Sequence, residues 1–256
     1  MFKIATWNVN SLRVRLDHVL DWLQAQAPDI LALQETKLVD EVFPHEMFLN
    51  IGYTAAFSGQ KTYNGVAVIS KQTPREVLTN FPSYVDSQRR ILFADYNDLS
   101  VLNLYVPNGS EVGSEKYDYK LEWLTHMRSF VGTVLRKGRN LVILGDFNIA
   151  PADEDVHDPE EWQGKVLVSA PEREHFFQLL DMGMVDCYRL LNKDGREFSW
   201  WDYRAASFRR NRGLRIDHIL ASRNLSQYCR SCSIDKDPRA LEKPSDHTPV
   251  VAEFDI

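Results

Sequence analysis

The sequence predicts a layered α/β domain, and two observations carry that prediction. Short apolar runs of single-strand length alternate with segments whose apolar residues recur at helical spacing. No low-complexity stretch, short repeat or linker interrupts the alternation, so all 256 residues are read as one domain, 1–256. A chain of that length can bury a core without disulfide or metal staples.

Phe2 to Trp7 reads as the first strand. Leu12, Leu16, Val19, Leu20 and Leu23 place an amphipathic helix over 11–26, and Pro28 blocks its continuation. Ile30 to Leu33, Val66 to Ser70, Ile91 to Tyr96 and Leu99 to Tyr105 read as strands. Tyr117, Leu121, Leu124 and Val131 mark a second long helix, followed by a buried strand at Leu141 to Leu144. Ser169-Ala170-Pro171-Glu172 has the form of a capping box; Phe176, Leu179 and Leu180 continue that helix and Gly183 can end it. Leu214 to Ala221 and Val250 to Phe254 are late strands. Two sheets packed face to face with helices outside fit this order, although periodicity alone does not choose that arrangement.

Composition narrows the function classes. Apolar residues make up 44% and charged residues 26%, which argues against disorder. Three cysteines, Cys187, Cys229 and Cys232, are too few for a disulfide framework and point to a reducing compartment. Cys229 and Cys232 form a C-x-x-C, but no second pair stands nearby to complete a zinc site, so a structural role is expected. The N-terminus lacks an apolar core of signal-peptide length, and no stretch approaches the roughly 20 apolar residues of a membrane span. A cytoplasmic location is expected. A net charge of −6 argues against a protein that coats nucleic acid, but not against an enzyme with a local basic face.

The informative pattern lies at the ends of the apolar runs. They end in Asn8, Glu35, Tyr105 with Asn108 beyond it, and Asp146 with Asn148 beyond it; GLRI carries Asp217, and KPS leads into Asp246 and His247. A single Asp or Asn after a strand is usually a turn former. A whole set of oxygen donors, with no sulfur, suits Mg²⁺ or Mn²⁺ and the chemistry of phosphoryl transfer. The acid-rich stretch Asp153, Glu154, Asp155, Asp158, Glu160 and Glu161 lacks the spacing of a calcium loop and reads as a solvated loop.

At these residues the chain resembles the exonuclease III family of DNA-repair nucleases, within the endonuclease/exonuclease/phosphatase superfamily. The stretches that carry the resemblance are TWNVNSLRVRL, DILALQETK, YNGVAVIS, NLYVPNG, ILGDFNIAP, FSWWDYR, NRGLRIDHILAS and EKPSDHTPV, which run from residue 6 to 250. The resemblance implies a four-layer α/β sandwich, two packed mixed β-sheets flanked by helices. It implies Mg²⁺-dependent hydrolysis of DNA phosphodiesters: 3′→5′ exonuclease action, removal of 3′ blocking groups, and incision beside abasic sites. By position, Glu35 looks like the main metal ligand, with Asn8 and Asp246 close to the ion. Asp146 looks like the activator of the attacking water, with Asn148 positioning it. His247 looks like the phosphate-oxygen partner oriented by Asp217, Tyr105 the phenol near the scissile phosphate, and Asn108 a phosphate contact. Trp200, Leu214 and Ile216 would line a sugar pocket, with Leu167 as its further wall. Members that incise abasic DNA have a small residue at the position of Leu167, so weak abasic incision is expected here. Asn10 stands where some relatives carry Asp.

Phosphate contacts are expected from the stretch holding Arg204, Arg209, Arg210, Arg212 and Arg215, with Phe198, Trp200, Trp201 and Tyr203 just before it. Lys116 with Lys120, and Arg89 with Arg90, are weaker candidates of the same kind. The expected partner is double-stranded DNA with a damaged or recessed 3′ end or an abasic site, bound by a monomer. The competing readings are a superfamily phosphodiesterase acting on RNA, inositol phosphates or sphingolipid head groups, and a nonenzymatic DNA-binding protein. FSWWDYR and GLRIDHILAS favour the DNA-repair branch over the first. The second predicts a broken catalytic position, and none is visible.

Overall fold

The computed structural model describes every residue from Met1 to Ile256. The strands are β1 (Phe2–Asn8), β2 (Ile30–Gln34), β3 (Thr54–Ser58), β4 (Val66–Ser70), β5 (Glu76–Leu78), β6 (Ile91–Asp95), β7 (Leu99–Tyr105), β8 (Asn140–Asp146), β9 (Met184–Asp186), β10 (Asp217–Ser222), β11 (Cys229–Ile234) and β12 (Val250–Phe254). The helices are α1 (Leu12–Gln26), α2 (His45–Leu49), α3 (Glu115–Arg136), α4 (Pro159–Trp162), α5 (Ala170–Asp181), α6 (Cys187–Leu191) and α7 (Arg223–Ser226). Two mixed six-stranded sheets run β11-β12-β1-β2-β4-β3 and β5-β6-β7-β8-β10-β9. Each contains one parallel pair of consecutive strands, β1 with β2 and β7 with β8. A parallel pair needs a crossover, and α1 and α3 supply it. They pack on the outer faces, which makes four layers.

Side chains alternate along a strand, so each central strand feeds two cores. Ile4, Ile30, Ala32, Val68, Val142, Leu144 and Ile219 meet between the sheets. Ala5, Trp7, Leu31 and Leu33 face α1, while Leu102, Leu104, Leu141 and Ile143 face α3 and α5. Burial on both faces explains why these strands read as mostly apolar runs. The same alternation puts Asn8, Gln34, Tyr105, Asp146 and Asp217 on the inter-sheet side at one rim. Strands β1, β2, β7 and β8 end there, and the antiparallel β10 and β12 begin there. Gly145 permits the close approach of β8 to β7, since a Cβ at that position would lie 2.0 Å from the Leu104 carbonyl oxygen. The register then sets Tyr105 and Asp217 on either side of Asp146.

One buried amide ties the sheets together just below this rim. Asn103 of β7 donates through Nδ2 to the carbonyls of Leu33 (3.0 Å) and Ala67 (2.9 Å) in the facing sheet. Its Oδ1 accepts from Gln34 Nε2 at 2.7 Å.

Several expectations change. Strands β3, β5, β9 and β11 were not foreseen, and the C-x-x-C lies on β11. Its two thiols are free and buried with Cys187 in the inter-sheet core. The strand expected at Leu214 begins at Asp217; Leu214 makes only isolated bridges to Val156 and Trp200, so residues 214–216 form a loop wall. Asp155 is not solvated: it is buried and pairs with Arg215 Nε at 2.7 Å and with Arg189. Arg215 is therefore not a phosphate contact; it also reaches Asp186 at 2.9 Å. Lys120 is fully buried and is no DNA contact either. No helix is long and apolar enough to cross a membrane.

Next to this ion cluster, His218 lies buried with Nδ1 3.0 Å from Arg215 Nη1 and Nε2 2.9 Å from the Ile149 carbonyl. Arg215 can only donate, so Nδ1 accepts and Nε2–H donates. Burial, reinforced by Arg215, holds His218 down to about 4.

Two outcomes are expected. Asn103→Leu removes the hydrogen bonds to the Leu33 and Ala67 carbonyls and to the Gln34 amide, and it should lower unfolding free energy by about 1–3 kcal/mol in urea melts. His218 binds its proton more readily when unfolded, so its contribution is complete above the unfolded value of 6.5 and is lost as pH falls toward about 4. The stability of His218→Gln should vary less with pH across that window than wild type; equal slopes would contradict this assignment.

Candidate active site

The rim joins groups from both sheets through Asn8. Its Nδ2 donates to Glu35 Oε1 at 2.8 Å and to Asp146 Oδ2 at 2.9 Å. Its Oδ1 accepts the Asn10 backbone N–H at 3.0 Å, which orients the amide. Glu35 follows β2 with φ +52°, a left-handed conformation costly for a residue with a Cβ. The turn is held by Thr36 N–H to Gly65 O (3.1 Å) and Lys37 N–H to Asn64 O (2.9 Å).

Opposite Glu35 stands a carboxylate–imidazole–carboxylate array. His247 Nδ1 lies 2.9 Å from Asp217 Oδ2, and Nε2 lies 3.7 Å from Asp146 Oδ2. The Ser199 hydroxyl donates to Asp217 Oδ2 at 2.6 Å and accepts the Asp217 and Ile216 backbone N–H groups at 3.1 Å. Burial opposes charge on His247, but Asp217 and then Asp146 outweigh it and raise the imidazole to about 10. At neutral pH it is an imidazolium with both nitrogens as donors. Burial lifts Asp146 to about 7, with His247 pulling it down and Asp217 pushing it up.

Asp146 is oriented from its other side. The Asn148 backbone N–H donates to Oδ1 at 2.8 Å, with Asn148 at φ +49°, which asparagine tolerates. Asn148 Nδ2 donates to the Val106 carbonyl (3.0 Å), and Asn108 Nδ2 donates to Asn148 Oδ1 (3.1 Å). Burial, then the charges of Glu35 and Asp146, hold Tyr105 far above the usual phenol range, so it remains an O–H donor. The Arg90 guanidinium covers its ring at 4.8 Å.

Glu35, Asp146 and His247 bring one ligand-type atom each within 4.8 Å of one another. A protonated imidazole has no lone pair to give, which leaves the carboxylates as the donors. Asp246, next in chain to His247, accepts from Asn10 Nδ2 (2.9 Å) and Trp200 Nε1 (3.0 Å). Asn10 in turn accepts from Lys37, whose ammonium lies 3.0 Å from Glu35 Oε2. The carboxylates of Glu35, Asp146, Asp217 and Asp246 gather at one rim, with oxygen the predominant donor. The residues fit a hard divalent cation.

Beside the array, Leu167, Leu214 and Ile216 form a small apolar cluster with Ala150, Val156 and Val168, and Trp162, Val166 and Trp200 pack on it. Leu167 is buried at φ +76°. Trp200 connects this cluster to the array, with its ring 6.5 Å from the His247 ring. Of the expected arginines, Arg209 and Arg210 are exposed on the loop after Trp201, while the half-buried Arg212 pairs with Glu161 at 2.5 Å. Sequence reasoning missed Ser199 and Arg15. Ser199 stands inside FSWWDYR, one residue before Trp200. Arg15 donates to the carbonyls of Asn10 (2.5 Å), Lys243 (3.1 Å) and Pro244 (3.0 Å) and to Tyr203 OH (3.2 Å), which clamps the segments leading to Asn10 and Asp246. Its signal was its place in TWNVNSLRVRL.

Comparison with known proteins identifies the family and the fold. The model of the Endonuclease/Exonuclease/phosphatase family matches residues 5–247. The chain is 38% identical to exodeoxyribonuclease III of Haemophilus influenzae, over 98% of this chain and 99% of that protein. Among solved structures, the 3′ phosphatase NExo from Neisseria, bound to a product DNA hairpin, superposes with a TM-score of 0.98 at 45% identity, covering 100% of both chains. An AP endonuclease from Archaeoglobus fulgidus superposes at 0.97 with 40% identity, also over 100% of both. The chain belongs to the endonuclease/exonuclease/phosphatase family, among its exodeoxyribonuclease III-like hydrolases.

Proposed function

We propose that this protein is a Mg²⁺-dependent DNA-repair nuclease that hydrolyses phosphoester bonds at DNA 3′ ends, as an exonuclease, 3′-phosphodiesterase and 3′-phosphatase, with weak incision at abasic sites. The observation that carries the proposal is the Asp217–His247–Asp146 array facing Glu35 across a carboxylate-rich rim. The similar proteins support DNA as the substrate: one is an exodeoxyribonuclease, one a 3′ phosphatase with bound product DNA, one an AP endonuclease.

In this reading Glu35 and Asp246 would hold Mg²⁺, with Mn²⁺ as the alternative; Asn8, expected beside them as a ligand, presents its Nδ2 to Glu35 and would orient that carboxylate instead, and the cation would neutralise charge on phosphate oxygens. Asp146, oriented by Asn8 and Asn148, takes the proton of the attacking water; its value of about 7 suits a base at neutral pH. The His247 imidazolium, kept charged by Asp217, and the Tyr105 phenol stabilise the developing negative charge. Asn108 holds a phosphate oxygen. Arg209, Arg210 and Arg212 follow the DNA backbone. The enzyme acts as a cytoplasmic monomer, with the duplex lying across the rim.

Leu167 sets the ranking of substrates. Its side chain fills the cluster of Leu214, Ile216 and Trp200, where an extrahelical abasic sugar would insert. A 3′ end needs no such insertion.

Duplexes ending in 3′-phosphate, 3′-blocked and recessed termini should be turned over in Mg²⁺ and spared with chelator, with inositol phosphates untouched. Asp146→Asn should lower the rate about 10³-fold or more, as expected for loss of a general base and its charge. Faster turnover of inositol phosphates than of DNA would reject the substrate class. Leu167→Gly should raise abasic incision relative to 3′-phosphate removal, and an unchanged ratio would remove Leu167 as the cause.

A further inference from the structure

We propose that the buried pair Lys120–Glu172 is a positioning device that holds the Asn108 loop, the Asn148 loop and the Leu167 wall in one register. The proposal rests on the roles given above to Asn108 and Asn148. Lys120 lies on α3 and Glu172 on α5, and both are 0% exposed. The Lys120 ammonium has three protons and three partners. It donates to the Asn148 carbonyl at 2.7 Å, to the Asn108 carbonyl at 3.1 Å, and to Glu172 Oε1. These carbonyls belong to the two residues whose side chains meet at the reacting rim.

Glu172 extends the link. Besides Lys120, its carboxylate accepts the Leu167 backbone N–H at 3.0 Å, the Ser169 N–H at 3.1 Å, and the Ser169 hydroxyl. The Ser169 hydroxyl also meets Tyr117 OH at 2.6 Å, which returns the chain of contacts to α3. One ion pair therefore fixes the backbone under Asn108, Asn148 and Leu167 together.

Stability alone is a poor reason for such a pair. Burying an ammonium and a carboxylate is costly, and apolar residues of the same volume commonly do as well. What lysine adds is three directed donors, which hold two loop carbonyls that α3 otherwise leaves free. The consequence belongs to catalysis, because displacing a positioning group by about 1 Å can cost about 10²-fold in rate.

The test uses the full-length protein with a 3′-phosphate duplex in saturating Mg²⁺, and compares kcat, KM and melting temperature. The variants are Lys120→Met, Lys120→Arg, and the neutral double variant Lys120→Met/Glu172→Gln. Lys120→Met should lose about 10²-fold in kcat while KM changes little. The double variant removes both buried charges, so it should melt closer to wild type than Lys120→Met while kcat stays low. Lys120→Arg, which restores donors, should recover part of kcat. The proposal fails if kcat tracks melting temperature across the set, or if the loss lies in KM alone. Should Lys120→Met not fold, the double variant and Lys120→Arg decide by the same comparison. A wild-type protein with no Mg²⁺-dependent turnover would instead reject the reading of the site itself.

Discussion

The charge on which the rim depends is the buried His247 imidazolium between Asp217 and Asp146. Without it, two buried carboxylates on neighbouring strands would face one another, and their repulsion would favour a proton on one of them. His247 opposes that effect at Asp146, and in the proposed reading this lets one carboxylate orient the ring and the other serve as base. The imidazolium also explains why so much surrounding structure is polar yet paired. Ser199 satisfies Asp217, Asn8 and Asn148 satisfy Asp146, and Trp200 and Asn10 satisfy Asp246. Unpaired buried polar groups would destabilise such a site more strongly than the pairs stabilise it.

The sandwich is what brings these groups together. Asp146, Asp217 and Tyr105 come from one sheet, Asn8 and Glu35 from the end of the other, and His247 from the approach to β12. No single sheet supplies both Asp146 and Glu35. Their separation is set by how the sheets pack, and the Asn103 amide reaches across that gap one residue pair below the rim. Glu35 and Leu167, whose Cβ atoms disfavour that region, both hold positive φ beside the site. Such conformations persist where surrounding hydrogen bonds over-determine them.

Much of this was legible in the sequence because the central strands are buried on both faces. β2, β4 and β8 carry unbroken apolar runs and β1 and β7 mostly apolar ones, and polar residues at the ends of β1, β2, β7 and β8 mark the rim. The short edge strands β5 and β9, and the half-buried β3, carry no such run, so they did not declare themselves. β11 was hidden because its pattern of Cys, Arg and Ser resembles a surface segment, although Cys229 and Cys232 point inward. Lys120, Asp155 and Arg215 were misplaced for a different reason. A charged residue reads as surface until its partner is known, and the partners Glu172 and Arg215 lie 52 and 60 positions along the chain from Lys120 and Asp155. The resemblance named the residues of the proposed site; the fold revealed what holds them.

The most direct test of the buried imidazolium is a ¹⁵N NMR titration of histidine-labelled protein, with His247→Gln used to assign the resonances. The His247 ring should show both nitrogens protonated at pH 7 and should lose its proton only near pH 10. Deprotonation of that ring near the ordinary histidine value of about 6.5 would contradict the account.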